Sequence, residues 1–503
     1  MAETSMTFPP LHSANQRVAL LDGNHSLSYA ALEDRVVRLA SGLLGQQQDL
    51  MERRIAMFMP AGFDYVTSLL GIWRSGGIAV PLNVHAALPE LEHVLETAGV
   101  SVMLVSGDRH KQLAGLAPLC LRLGISLVAI DRLLDVDIRS LPVLQDNRRA
   151  MMLFTSGTTN RPKGVVSTHR NIRAQITTLI KAWHWLATDR IPLFLPLHHI
   201  HGIINVLCCA LWSGASVTLF PRFDTEFVLR GVAAGDWTLF MAVPTIYVKI
   251  LQHLPGLPPA EQARIRDGFS AMRLMVSGSA ACPVKLFTDW QAFTGQCLLE
   301  RYGMTETGMT ISNPLEGERR AGAVGQALPG VEVVLFDEDD SRILDDHVPG
   351  EIRIRGDNVF NEYWQNPQAT QEAFRDGWFC TGDTAELDRG YFRILGRSSI
   401  DIIKSGGYKL SALEIESVLL SHEAIAECAV IGIADDTWGE AVCACIVLKE
   451  GMQLTREILR EWCRERMSAY RIPQRVCLME ALPRNAMGKV MKPQLKTLVA
   501  TLT

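Results

Sequence analysis

Short apolar runs alternate with longer stretches of helical period along most of the chain. RRIAMFMP reads as a buried strand, DYVTSLLGIWRSG as the helix after it, and GIAVPL as the next strand. SVMLVSG, SLVAID, SVTLF and RLMVSGS are further strand candidates, separated by stretches long enough for helices. Apolar strands spaced by helices predict parallel sheets covered on both faces. From about Val331 the texture changes. VEVVLFDEDD, GEIRIRG, GWFCTGDTAELD and GYFRILG alternate apolar and polar residues and turn at Gly and Asp. That alternation predicts antiparallel, partly exposed strands.

A third texture follows GRSSIDIIKSGG. SALEIESVLLSH is a helix with Ser411 as its cap and Glu414 three residues on. AECAVIGIAD and AVCACIVLKE read as strands, and LTREILREWCRERM as an amphipathic helix. The expected class is α/β, with a large N-terminal domain of mixed and parallel sheets over residues 1–397. A hinge spans 398–404, and a small α+β domain fills 405–503. No internal repeat or low-complexity segment is present.

Composition narrows the function classes. The 503 residues suffice for about three units of roughly 150 residues, or fewer large ones. A net charge of -5 supplies no basic field for nucleic acid or a membrane surface. The 11 cysteines are scattered, with no CxxC pair or zinc spacing, and no basic-plus-apolar leader opens the chain. These features read as a reduced, cytoplasmic protein. The most apolar region, Ile191 to Phe220, is broken by Pro192, Pro196, His198, His199 and His201. It falls short of the roughly 20 clean apolar residues of a membrane helix, so it reads as buried strand and helix. Oligomeric state is left open.

Four stretches carry chemistry. In TSGTTNRPKG, the backbone of Thr155, Ser156, Gly157, Thr158 and Thr159 can form an anion-binding nest, and Lys163 adds a charge that follows phosphate. The loop departs from the phosphate-loop pattern in which Gly-Lys is followed by Ser or Thr. In RYGMTETGMT, Tyr302 offers a flat face for a base, while Thr305 and Glu306 supply hard oxygens for magnesium. Asp383 and Arg397 flank a hairpin-like segment, and an acidic residue can take ribose hydroxyls. In LPRNAMGKV, Gly488 lets the backbone bend and expose Lys489. Singly, each has a bland alternative: a polar turn, a loop, an arginine on a strand, a solvated lysine.

In this order, together with SGSA (Ser277 to Ala280), the stretches resemble the acyl-adenylate-forming enzymes. That superfamily comprises acyl-CoA synthetases, luciferases and peptide-synthetase adenylation domains, and the resemblance covers nearly the whole chain. It implies a distorted β-barrel-like part in the large domain and a mobile small domain. It also implies ATP, Mg²⁺ and coenzyme A, and a reaction in two steps through an acyl-AMP. The Thr155–Lys163 loop would hold the β- and γ-phosphates, Thr305 the α-phosphate and Glu306 the metal. Asp383 and Arg397 would hold the ribose, and Ser279 and Ala280 with Tyr302 would flank adenine. Lys489 would neutralise charge developing on the α-phosphate and the carboxylate. After rotation of the small domain, Gly406 and Gly407 would line the thioester site. Asp401 is the candidate pivot, with Ser399 second.

LPLHHIHG bears on the acid. No carboxylate or cysteine stands at ligand spacing from its histidines, which argues against a metal there. On a strand, His199 and His201 would share a face with His198 opposite. By resemblance this segment borders the acyl pocket, and His199 is carried as a catalytic candidate. ERYGMTETGMTISNPLEGERRAGAVGQALPGV, HHIHGIIN, VPTIYVKIL and IDIIKSGGYKLSALEIE resemble the malonyl-CoA synthetase branch. A second carboxylate in the substrate needs a cation or several donors once it is stripped of water. Candidates are Arg273, Arg301, His201, Ser277 and Ser279, with Met304 as a floor that admits malonate and methylmalonate. Lys249 stands where that branch suggests an arginine, and lysine cannot make a bidentate fork. The alternatives are a short- or medium-chain acyl-CoA synthetase, a stand-alone adenylation enzyme loading a carrier protein, and a nucleotide-binding module without catalysis. Asn160, where relatives have glycine, is expected to take the left-handed conformation.

Overall fold

The computed structural model describes residues 16–107, 110–155, 162–406, 408–435, 437–484 and 490–502. Ser156, Gly157, Thr158, Thr159, Asn160, Gly407 and Lys489 lie outside these.

The apolar runs of the first half become strands of a seven-stranded sheet. Its order is 362–363, 163–168, 149–155, 78–81, 54–58, 102–105, 126–129. From 149–155 to 126–129 every pairing is parallel. The helices between, such as Phe63–Arg74, bury most of their residues against it. A five-stranded sheet follows, with Leu239–Ala242, Leu274–Ser277 and Leu299–Met304 in parallel and Gly308–Ser312 turning back antiparallel. A four-stranded sheet joins the N-terminal strands Val18–Asp22 and His25–Ser28 to Arg190–Leu193 and Ser216–Leu219. One continuous apolar core runs through these layers, with Trp73, Trp183, Trp290, Tyr65 and Tyr247 wholly buried in it.

The change of texture at Val331 is the change to antiparallel pairing. Glu332–Phe336, Gly350–Arg355, Trp378–Asp388 and Tyr391–Arg397 form the barrel-like sheet. The last sheet, built on Ile402–Ser405, Tyr408–Ser411, Ile425–Asp435, Gly439–Leu448 and Arg475–Leu478, has its own apolar cores. Its first helix, Ala412–Leu419, is capped as expected: Ser411 accepts from the Glu414 N–H. Ile402–Ser405 is already strand, so the stretch without regular structure is 398–401, shorter than the expected hinge of 398–404.

The apolar region from Ile191 to Phe220 is two short strands with a helical segment between them. Among the described residues no helix is long and apolar enough to cross a membrane.

Candidate active site

The Thr155–Lys163 stretch closes a hairpin. Arg149–Thr155 and Lys163–Thr168 pair antiparallel, with Thr155 directly opposite Lys163. The Lys163 ammonium lies 5.1 Å over the Tyr363 ring. The Tyr363 hydroxyl donates to Glu306 Oε1 at 2.9 Å. The hairpin is thereby joined to the turn after Leu299–Met304, which carries Thr305 and Glu306. Glu306 is 6% exposed, and burial raises its pKa above the ordinary carboxylate value while the Tyr363 hydroxyl pulls it down. Among the described residues no cation lies within ion-pair distance of it. A buried carboxylate short of positive charge suits a divalent cation.

Asp383 and Arg397 face each other across the hairpin of 378–388 and 391–397. Arg397 Nε is 3.0 Å from Asp383 Oδ1, and the Tyr302 hydroxyl donates to Asp383 Oδ2 at 2.5 Å. The three residues expected to meet ribose and adenine are therefore one cluster, drawn from two sheets. The Asp383 charge and burial together keep the Tyr302 phenol protonated, with burial the larger cause.

The candidate acid end is built where Leu274–Ser277 and Leu299–Met304 run parallel. Ser279 follows the first strand with φ 67°, and its Oγ is 3.1 Å from His201 Nδ1. Arg301 Nη2 donates to the same Oγ at 3.3 Å. The Arg301 guanidinium crosses directly over Gly278, where a Cβ would meet Cζ at 2.3 Å. Arg301 is 5% exposed, and burial lowers its pKa to about 9. No carboxylate among the described residues pairs with it. Among the described residues, Arg301 Nε, His201 Nε2 and His199 Nε2 are buried without a hydrogen-bond partner. Met304 is half-buried at the end of its strand.

Two expectations at this end are corrected. Leu195–Gly202 is not a strand: His198 and His199 sit in a turn, and His201 opens the π-helix His201–Cys208. Pro192 lies within the short strand Arg190–Leu193, which ends before Pro196, and the wide helical turn follows. Burial pushes the His199 pKa down to about 4 and His201 well below its ordinary value, so both rings are neutral near pH 7. Arg273 does not reach this end. It precedes its strand rather than following it, and its guanidinium is paired with Asp189 and with the Trp183 carbonyl. Lys249 is exposed on the helix Pro244–His253.

In the small domain, Gly406 has φ 56° and a Cβ there would press on the Trp438 ring at 2.9 Å. Tyr408 stacks on Tyr470 with ring centroids 4.5 Å apart. Tyr363, Gly278 and Trp438 escaped the sequence reading. Tyr363 sits on a two-residue strand between Phe360 and Trp364, and nothing local distinguishes it from those aromatics. Gly278 lies inside the SGSA motif, and only its packing against Arg301 reveals its role.

Comparison with known proteins agrees with this architecture. Residues 11–364 match the AMP-binding enzyme family and residues 414–489 the AMP-binding enzyme C-terminal domain. The chain is 40% identical to the mitochondrial malonate–CoA ligase ACSF3 of Bos taurus, over 95% of this chain and 88% of that protein. It matches ATP-bound MatB from Rhodopseudomonas palustris with a TM-score of 0.88 at 31% identity, over 97% of this chain and 96% of that one. A malonyl-CoA ligase product complex with methylmalonyl-CoA and AMP is 35% identical, yet its TM-score is 0.68, over 95% of this chain and all of that one. The chain belongs to the AMP-binding enzyme family, and it is an acid–thiol ligase.

Proposed function

We propose that this chain is an ATP-dependent malonate:CoA ligase that also takes methylmalonate and works through an acyl-AMP. The observation that carries the choice of acid is Arg301, a buried guanidinium with no carboxylate partner among the described residues, bonded to Ser279 beside His201. Burying a lone cation costs several kcal/mol unless an anion joins it. An apolar tunnel for a fatty acyl chain would leave that cost standing. The distal carboxylate of malonate would meet Arg301, with Ser277, Ser279 and neutral His201 completing its hydrogen bonds. His199 would border the acyl group as a neutral ring, and Met304 would limit its size.

In the first step a malonate carboxylate oxygen attacks the α-phosphorus of ATP, and pyrophosphate leaves. In the second the CoA sulfur, its thiol proton lost, attacks the acyl carbon, and AMP leaves. Both steps depend on positioning and charge neutralisation. The Thr155–Lys163 hairpin would bind the outer phosphates, Thr305 the α-phosphate, and Asp383 with Arg397 the ribose. The adenine would sit between Tyr302 and the Ser279–Ala280 backbone. Glu306 would hold Mg²⁺, whose charge screens the phosphates when bound. Lys489 would serve the first step from the small domain. Gly406, beside Trp438, and Gly407 after it in the chain would border the pantetheine in the second, after a rotation about Asp401.

The test is acid-dependent pyrophosphate release with malonate, methylmalonate, octanoate and acetate, followed by thioester analysis with CoA and with a phosphopantetheinylated carrier protein. Malonate is expected to lead and CoA to be the acceptor. Preference for octanoate would end the dicarboxylate reading. The same panel on Arg301→Met should lower kcat/KM for malonate by about a hundredfold while leaving acetate nearly unchanged.

A further inference from the structure

Between Tyr391–Arg397, in the large domain's antiparallel sheet, and Ile402–Ser405, in the small domain's sheet, lie residues 398–401. Asp401 ends that stretch with every polar group engaged. Its N–H donates to the Arg397 carbonyl at 2.7 Å, and its carbonyl accepts from the Ala412 N–H at 2.8 Å. Its carboxylate is divided between the domains. Oδ2 accepts from the Arg397 N–H at 3.0 Å, while Oδ1 accepts from the Lys492 ammonium at 2.5 Å.

Lys492 is 7% exposed and opens the helix Lys492–Leu502, whose Leu495 and Val499 pack into the small domain's core. Its ammonium also meets Glu416 Oε1 at 2.7 Å, and that oxygen accepts from the Val430 N–H at 2.7 Å. One buried cation thus satisfies two carboxylates, one on the small domain's first helix and one in the turn between domains. Taking one partner from a buried ion cluster leaves charge uncompensated, so the arrangement resists any rotation that draws Asp401 away. Lys489, assigned to adenylation, lies three residues before Lys492 in the chain.

We propose that Lys492 is a positioning residue for the adenylation step: its bridge to Asp401 and Glu416 holds the inter-domain turn, and with it the small-domain placement of this structure. The inference rests on the two-step reading above. The TM-score is 0.88 with the ATP-bound relative and 0.68 with the more identical product complex, so adenylation is the step expected to depend on the bridge. A bridge present in one arrangement and absent from another biases the balance between them by its own differential strength.

The experiment uses the full chain and three variants, Lys492→Met, Lys492→Arg and Glu416→Gln. It reads malonate-dependent exchange of pyrophosphate into ATP, thioester formation from supplied malonyl-AMP and CoA, and tryptic cleavage after Arg397 and Lys404. Lys492→Met should lower exchange about tenfold more than thioester formation and speed cleavage at the turn. Lys492→Arg should recover part of the exchange, and Glu416→Gln, which leaves the bond to Asp401, should do less damage. Equal losses in both half-reactions with unchanged cleavage would overturn the proposal. If the wild-type chain activates no malonate, the acid assignment falls by itself. The cleavage comparison then decides the bridge, and unchanged rates in Lys492→Met overturn it.

Discussion

The Tyr363 hydroxyl donates to Glu306 Oε1, and the Tyr363 ring carries the Lys163 ammonium on its face. One side chain so links the candidate metal ligand to the candidate phosphate hairpin. Tyr363→Phe keeps the ring and removes the hydrogen bond. Glu306 must be ionised to serve a cation, and burial already raises its pKa, while the Tyr363 hydroxyl lowers it. Without the hydroxyl the pKa rises further, so the acid limb of kcat/KM for ATP moves to higher pH. At neutral pH the loss should be about tenfold, the value of one hydrogen bond to a charged group. A pH profile that merely scales down, with its limb in place, would contradict this role.

Gly278 is expected to control the acid without touching it. A methyl there would stand 2.3 Å from Arg301 Cζ, so Gly278→Ala must push the guanidinium off Ser279. Its backbone is not in the left-handed region, so the strain is confined to that contact. Overpacking of this kind costs about 1–3 kcal/mol, and the KM for malonate should rise about tenfold or more. The KM for ATP should rise less than the KM for malonate, since Asp383 is held by Tyr302 and Arg397 and not by Arg301. Equal rises in both constants would point to general distortion instead.

Most of the fold was legible because its signals are local. Apolar runs such as RIAMF at 54–58 are buried along their length, and the cap at Ser411 is a matter of adjacent residues. That Asp383 and Arg397 stand together was legible through motifs: they are register partners across one hairpin. The candidate acid end was read less well because its geometry is set by distant packing. Arg273 and Arg301 look alike in sequence, yet Asp189, 84 residues upstream, claims the first, and no carboxylate among the described residues claims the second. The histidine segment failed for another reason. A period-two pattern over few residues cannot distinguish a strand from a turn entering a wide helix.

Asp383 has both carboxylate oxygens engaged, by Arg397 and by Tyr302. Asp383→Asn keeps one acceptor and loses the charge that orients Arg397. The KM for ATP should rise about tenfold, as for a charge-assisted contact made neutral, with the KM for malonate nearly unchanged. Initial rates with ATP and malonate varied in turn check this. A selective rise for malonate would mean that the ribose does not lie here.

Glu300 precedes Arg301 and is buried, 4% exposed, with Oε1 accepting from the Gly322 N–H at 3.2 Å. Burial pushes its pKa up to about 8, against the smaller pull of that N–H. Its folded pKa thus lies above the ordinary 4.5, so the folded chain binds a proton that the unfolded chain has lost. The resulting stability is fully present below about pH 4.5 and fades as pH rises to about 8, by up to about 1.4 kcal/mol per pH unit. Glu300→Gln keeps the acceptor for Gly322 and removes the titration. Denaturation midpoints between about pH 5 and 9 should therefore fall more steeply for wild type than for the variant. If the two curves run parallel, Glu300 does not hold its proton in the folded chain, and the neutral carboxyl beside the acid pocket is wrong.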